Sequence, residues 1–276
     1  MALRAAGVAA AGATATVAWS LFESQWVALR ELDLPVPGLP AELDGFRILH
    51  LSDFHLGALG LNARTLGRAI SWAARRDPDL VAVTGDLLTH PRGEATLRRS
   101  IAELSARHGA YAVLGNHDIA KSRDPFSRPS EIRELDDAGV ALLRDSSRSF
   151  DANGIRVQVV GVDPRSYMRG RARPERLADP AARFRVLLCH FPEVVEALPP
   201  GAYALALAGH LHGGQICLPY PGGKLRLSHV RGAYWEGVFR VAGTTLHVSR
   251  GLGTTFVPFR LFARPEATEL VLRARP

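Results

Sequence analysis

Cysteine is nearly absent from this chain: Cys189 and Cys217 are the only two in 276 residues. No CxxC pair occurs, which excludes a zinc knuckle and a dithiol redox motif and leaves no disulfide framework for the fold to depend on. Cys189 ends the apolar run Val186-Leu187-Leu188-Cys189, where a small buried hydrophobe is expected rather than a reactive thiol. There is no internal repeat, and no low-complexity segment beyond the N-terminus. Charge is also missing from Ala5 to Phe22, with Arg4 before that run and Glu23 after it. That run is close to the minimum length for a spanning helix, but its Ala, Gly and Thr content makes it weakly hydrophobic. Small residues lie inside the run rather than after it, so no cleavage site of a secretory signal stands out.

Trp19 and Trp26 flank the end of this run, as at a membrane interface. An N-terminal anchor or uncleaved signal is therefore expected, with a helix packed on the main domain as the alternative. Arg4 and Arg30 are the nearest basic residues on either side, too balanced to set an orientation. Leu34-Pro35-Val36-Pro37-Gly38-Leu39-Pro40 cannot be helical and reads as an extended linker. Residues 1–40 are thus set apart from a main domain over 41–276. Hydrophobic residues make up 47% of the chain and charged ones 22%, an ordinary globular balance that excludes disorder. The net charge of +7 fits an Arg-rich surface, or attraction to anions such as phosphates or an acidic membrane. Nothing indicates a specific nucleic-acid partner or an oligomeric state.

Past the linker, short apolar runs alternate with helical periodicity. Strands are predicted over 46–52, 80–84 and 110–114. Helices are predicted over 62–76, with Asn62 as N-cap, and over 94–107. This alternation implies a parallel sheet with right-handed crossovers. Further strands are predicted over 155–160, 184–189, 204–208, 244–249 and 268–272. Polar clusters follow the apolar strands directly: Asp53-Phe54-His55, Gly85-Asp86, Gly115-Asn116-His117-Asp118, His190 and Gly209-His210-Leu211-His212. Ligands bind outside strand ends in open α/β sheets, so these residues should converge on one rim.

Each cluster alone is a weak signal. Asp-x-His is usually incidental, Gly-Asp after a strand is commonly a turn, and a lone histidine is usually structural. Together Asp53, His55, Asp86, Asn116, His190, His210 and His212 offer the mixed oxygen and nitrogen donors that a pair of divalent cations requires. Imidazole with carboxylate suits manganese, iron or zinc better than magnesium or calcium. His90, His108, His229 and His247 fall in no motif and are expected to be surface or structural. His50 is expected to be packed within its strand, behind the Asp53 turn.

The five blocks, in order, resemble the pattern D-x-H, G-D, G-N-H-[DE], H and G-H-x-H of the calcineurin-like metallophosphoesterase superfamily. The flanking Leu51-Ser52-Asp53-Phe54-His55-Leu56-Gly57, Ser249-Arg250-Gly251-Leu252-Gly253-Thr254, Pro258-Phe259-Arg260 and Pro265-Glu266, with the apolar N-terminus, are similar to its YkuE/YaeI-like branch of membrane-associated or exported phosphodiesterases. The resemblance implies a four-layer α/β/β/α sandwich of two mixed sheets flanked by helices. It implies two divalent metals, manganese first, with iron or zinc as alternatives. One would be held by Asp53, His55, Asp86 and His212. The other would be held by Asp86, Asn116, His190 and His210, with Asp86 bridging. His117 would be the general acid or transition-state stabiliser with Asp118 orienting it, and Asn116 would double as a phosphate contact. The expected reaction is phosphoester hydrolysis by a metal-bridging hydroxide. Relatives carry a further acidic residue after the Gly161-Val162-Asp163 strand end, where this chain has Pro164, and Asp163 is given no catalytic role.

Phosphomonoesters, phosphodiesters, nucleotides and lipid pyrophosphates all suit such a metal core, and a membrane-proximal substrate, a lipid-linked phosphodiester or pyrophosphate, is favoured. The expected location is membrane-associated or exported, with the cytoplasm as alternative. A substrate groove is expected along Gln215 to Trp235, with Tyr220, Tyr234 and Trp235. A metallo-β-lactamase-like hydrolase would need an H-x-H-x-D-H block, which is absent. A catalytically silent metal-binding scaffold of the same fold, at the membrane, is the competing class.

Overall fold

The computed structural model describes residues 2–128, 130 and 132–274. In chain order its strands are β1 (Ala28–Val36), β2 (Arg47–Leu51), β3 (Leu80–Thr84), β4 (Ala110–Val113), β5 (Val140–Leu142), β6 (Ser146–Ala152) and β7 (Ile155–Gly161). They continue as β8 (Phe184–Leu188), β9 (Leu205–Ala208), β10 (Cys217–Tyr220), β11 (Gly223–Arg226), β12 (Gly237–Val241), β13 (Thr244–Val248) and β14 (Glu266–Ala274). The α-helices are α1 (Ala2–Glu23), α2 (Asn62–Ala73), α3 (Glu94–Ile101) and α4 (Pro164–Met168).

Twelve strands form two six-stranded sheets, β1-β14-β2-β3-β4-β5 and β12-β13-β9-β8-β7-β6. Both are mixed. β2 to β5 run parallel beside an antiparallel β14, and β13, β9, β8 and β7 run parallel between antiparallel edges β12 and β6. Strand alternation sorts the side chains by face. Leu49, Leu51, Val81 and Val83 point outward to Leu66, Ile70, Leu97 and Ile101 of α2 and α3. Ile48, Leu80, Ala82 and Val113 point inward to Val157, Val159, Val186, Leu188, Leu205 and Leu207 of the second sheet. That sheet's outer residues, including Val160, Leu187, Ala206 and Leu246, are covered by Val194, Val195 and Leu198. The helical layer there is α4 and short 3-10 segments such as Pro192–Ala197. The result is the four-layer α/β/β/α sandwich that the resemblance implied.

Several elements differ from the sequence reading. Of the stretch read as a linker, Leu34–Val36 belong to β1, and Leu34 and Val36 are buried in the inter-sheet core. β1 is an edge strand parallel to β14, the position where Pro35, lacking an amide proton, is tolerated. Asn62 is not the cap of α2: its amide is buried and donates to the carbonyls of His55 and Thr254, and Leu61 occupies the cap position. α3 stops at Ile101, six residues short of the expected end. The apolar N-terminal run is helical, in keeping with its alanine content. Residues 7–19 of it are exposed, and its last turn is fixed by the buried Glu23, whose carboxylate accepts the amides of Phe262 and Ala263. Among the described residues no helix is long and apolar enough to cross a membrane.

Candidate metal centre

The turns that leave β2, β3, β4, β8 and β9 meet on one rim, because the parallel strands point their C-terminal ends the same way. Two backbone bonds lock the first two turns together: Asp53 N–H to the Gly85 carbonyl and His55 N–H to the Asp86 carbonyl, both 2.9 Å. The Asp53 carboxylate accepts the His210 amide, which ties the fifth turn to the first. Close approach sets two glycines. A Cβ on Gly115 would lie 2.1 Å from Asp86 Oδ1, and one on Gly209 2.2 Å from Asp53 Oδ2. Asp53, His55, Asp86, His210 and His212 all have positive φ. Left-handed backbone at five non-glycine positions is strain of the kind that clusters at functional sites.

The donor atoms form two overlapping groups. In the first, His55 Nε2 and His212 Nε2 are 3.1 Å apart, with Asp53 Oδ1 at 3.9 and 3.5 Å from them. In the second, His190 Nε2 lies 3.2 Å from Asn116 Oδ1 and 3.1 Å from His210 Nδ1. Asp86 Oδ2 stands between the groups, 3.5 Å from His55 Nε2 and 3.2 Å from His190 Nε2. All seven candidate ligands named from the sequence are therefore brought together, and all but His210 are buried. A third donor group, within 4.8 Å, joins His117 to His55 and Asp86.

The donor chemistry fits divalent cations. His190 Nδ1 lies 2.9 Å from the Thr84 carbonyl, which only accepts, so that nitrogen keeps a proton and Nε2 is the one a cation would take, displacing its proton. Thr89 Oγ1, 2.9 Å from His55 Nδ1, allows the same arrangement there. Electrostatics divide the imidazoles. Burial holds His55 and His212 well below the usual histidine range, so they are neutral donors. Burial also pushes Asp53 up to about 6. It disfavours charge on His190 too, but Asp86, Asp53 and the Thr84 carbonyl outweigh it and raise that pKa to about 9. Two buried carboxylates among crowded imidazoles form a cluster that added positive charge would relieve.

Behind these donors the structure corrects one pairing. Asp118 was expected to orient the His117 ring. Its carboxylate instead accepts the amides of Gly115, Leu87 and Leu88 and so braces the β3 and β4 turns. The partner of His117 Nε2 is Ser122 Oγ at 2.9 Å, while His117 Nδ1 is buried without a hydrogen-bond partner among the described residues. The His117 backbone amide donates to Asp86 Oδ1. Asp163 caps α4 and pairs with Arg144, a structural part.

Other side chains reach the site that were given no role there from the sequence. His229, read as surface or structural, stacks on His212 at 5.3 Å and lines the cavity over the cluster. Arg260 is fully buried, and its guanidinium reaches the carbonyls of His212, Gly253 and Ala263 and the His212 ring. His247 is buried against His50, Nδ1 to Nδ1 at 2.8 Å, and His50 Nε2 meets Thr84 Oγ1. From the stretch expected to line a groove, His229 to Gly232 line the cavities at the cluster, whereas Tyr220, Tyr234 and Trp235 do not. Both cysteines are buried and free.

The calcineurin-like phosphoesterase family model matches residues 46–214, more than half of the chain and all five blocks. The metallophosphoesterase YkuE of Bacillus subtilis is 29% identical over 244 residues, covering 86% of this chain and 82% of its own. The phosphodiesterase YaeI of Escherichia coli is 26% identical, covering 82% of each chain. The UDP-2,3-diacylglucosamine pyrophosphatase LpxG of Chlamydia muridarum is 26% identical, covering 88% of each. With the family match across the very turns that gather the donor cluster, the chain belongs to the calcineurin-like phosphoesterases and is a metal-dependent phosphoric ester hydrolase.

Proposed function

We propose that the chain hydrolyses phosphodiesters, and phosphomonoesters more slowly, with two divalent cations of which manganese fits best. Asp53, His55, Asp86 and His212 would hold one, and Asp86, Asn116, His190 and His210 the other. The observation that carries the reading is Asp86 Oδ2, a single oxygen close to one imidazole nitrogen of each donor group. Two cations in such a pair supply Lewis acidity and acidify a water molecule.

The protein's own share is positional. Asp118 fixes the two turns that carry Asp86 and Asn116. Thr84 and Thr89 orient His190 and His55. His117, whose ring is held by Ser122, delivers a proton to the leaving oxygen. Asn116 adds a hydrogen bond to a non-bridging oxygen. His229 and Phe191 wall the cavity of about 380 Å³ in which the ester would sit.

A membrane-proximal substrate is favoured by the N-terminus. Trp19, Phe22 and Trp26 form an exposed aromatic cluster at the end of α1, with Arg264 over the Trp26 ring. An apolar helix ending in tryptophans beside arginine suits the interface of an anionic membrane. The reading is tested with manganese-loaded protein on bis(p-nitrophenyl) phosphate, p-nitrophenyl phosphate and a lipid-linked diester. Turnover of the diester above the monoester is expected, and absence of any turnover would overturn it.

A further inference from the structure

Beside the metal cluster lies a second cavity of about 360 Å³, lined by Arg123, Glu193, His210, Leu211, His229 and 230–232. It shares Arg123, His210 and His229 with the cavity that contains Asp86, Asn116 and His117, so the two are lobes of one groove. Three cations line this groove: Lys121 and Arg123 at the cluster, Arg231 in the second lobe. None of the three makes an ion pair or side-chain hydrogen bond among the described residues. Many other arginines of the chain are tied to partners, as Arg47, Arg76, Arg144, Arg226 and Arg250 are. Arg123 and Arg231 are also exposed, which leaves their charges available to a ligand.

The backbone beneath these cations is fixed in place. Arg226 donates to the carbonyls of His229 and Gly232, and Ser228 Oγ donates to the Gly214 carbonyl, so the loop bearing Arg231 is fastened to the His212 turn. Gly232 lets this loop seat closely: with φ +101, its Cβ position would lie 2.6 Å from Leu211 Cδ1. On the other side, buried Asp124 accepts the amides of Phe126 and Phe256, and Lys121 N–H donates to the Asn116 carbonyl. Glu193 is the one carboxylate lining the second lobe, and burial raises its pKa.

We propose that Arg123 and Arg231, with Lys121, form a subsite for a second phosphate bonded to the one attacked, making the substrate class a pyrophosphate-bridged diester. This rests on the phosphoesterase reading above and narrows it. One phosphorus occupies the metal cluster and its neighbour extends along the groove to Arg123 and Arg231. Water adds to the first phosphorus, the P–O–P bond breaks, and two phosphomonoesters leave with the protons of that water shared between them. A diester with one phosphorus leaves the arginine lobe empty, and the arginines then discriminate between the two substrates.

The test compares P1,P2-di(p-nitrophenyl) pyrophosphate with bis(p-nitrophenyl) phosphate on manganese-loaded wild type, Arg123→Gln, Arg231→Gln and the double variant. Each lost charge-assisted contact should lower the ratio of kcat/KM for pyrophosphate diester over phosphodiester by roughly ten- to a hundredfold. Calorimetry gives a readout independent of turnover: inorganic pyrophosphate should bind the double variant at least about tenfold more weakly, with inorganic phosphate shifting less than about threefold. An unchanged ratio, or both substrates and both anions weakened in step, overturns the subsite. Wild type that turns over neither substrate overturns the phosphoesterase reading itself, a result distinct from the first because it precedes any variant.

Discussion

Replacing His117 by alanine removes the ring held by Ser122 Oγ but keeps the backbone amide that donates to Asp86 Oδ1. The two groups formed by the seven candidate ligands therefore stay intact, and the loss falls on proton delivery. A positioned general acid contributes about 10²–10⁴ in rate, which is about 3–5 kcal/mol of barrier. The size of the loss should depend on the leaving group. p-Nitrophenolate departs with little help, so bis(p-nitrophenyl) phosphate should fall by less than about tenfold. A dialkyl phosphodiester, which can expel only an alkoxide, should approach the full 10⁴. Single-turnover rates on the two esters, with metal content measured on the same samples, separate the chemical step from binding and product release. Equal losses on both leaving groups, or retained rate on the alkyl ester, would refute proton delivery by His117. Ser122→Ala should give a smaller loss of the same pattern, since it frees the ring without removing it.

Arg260→Met should be the most destabilising single change near the site. It strips several buried carbonyls of a donor, and about 3–5 kcal/mol of stability is expected to go with a broken buried charge network. Urea denaturation checks this, and a loss under about 1 kcal/mol would show that those carbonyls find other partners. A pH effect follows from His190. Its folded pKa of about 9 lies above the unfolded value near 6.5. The folded metal-free protein thus binds the extra proton, and the resulting stability is present below pH 6.5 and lost as pH rises through 9. Between pH 7 and 9 metal-free protein should therefore melt at falling temperature. Manganese, which replaces that proton at Nε2, should give a stabilisation that grows over the same range. Thermal melts with and without metal measure both, and a metal increment that shrinks with pH would contradict the assignment of His190.

Legibility in the sequence followed locality. The strands that carry ligands were readable because each is a short, largely apolar run stopped by a polar turn; Leu80–Thr84 matches its expected range residue for residue. β1 was missed because it is an edge strand that contains proline and pairs with the distant C-terminal β14. β6 and β12 were missed because their exposed faces break the apolar run. At the site, residues on motif turns were nameable, while those reaching in from elsewhere were not. His229 comes from a loop with no periodicity, and Arg260, though part of a quoted flanking motif, had no readable role; only the closed chain sets both against His212. Asp118 was recognised but given the wrong neighbour. Its position beside His117 in sequence suggested a ring contact, whereas three amide donors of the β3 and β4 turns compete for the same carboxylate.

The central claim is that two donor groups share Asp86. Elemental analysis of protein reconstituted with manganese and freed of excess metal tests it most directly, on wild type and Asp86→Ala side by side. Two metal ions per wild-type chain are predicted, with fewer than one in the variant. A single ion in wild type, or two still held after Asp86→Ala, would contradict the shared-ligand centre.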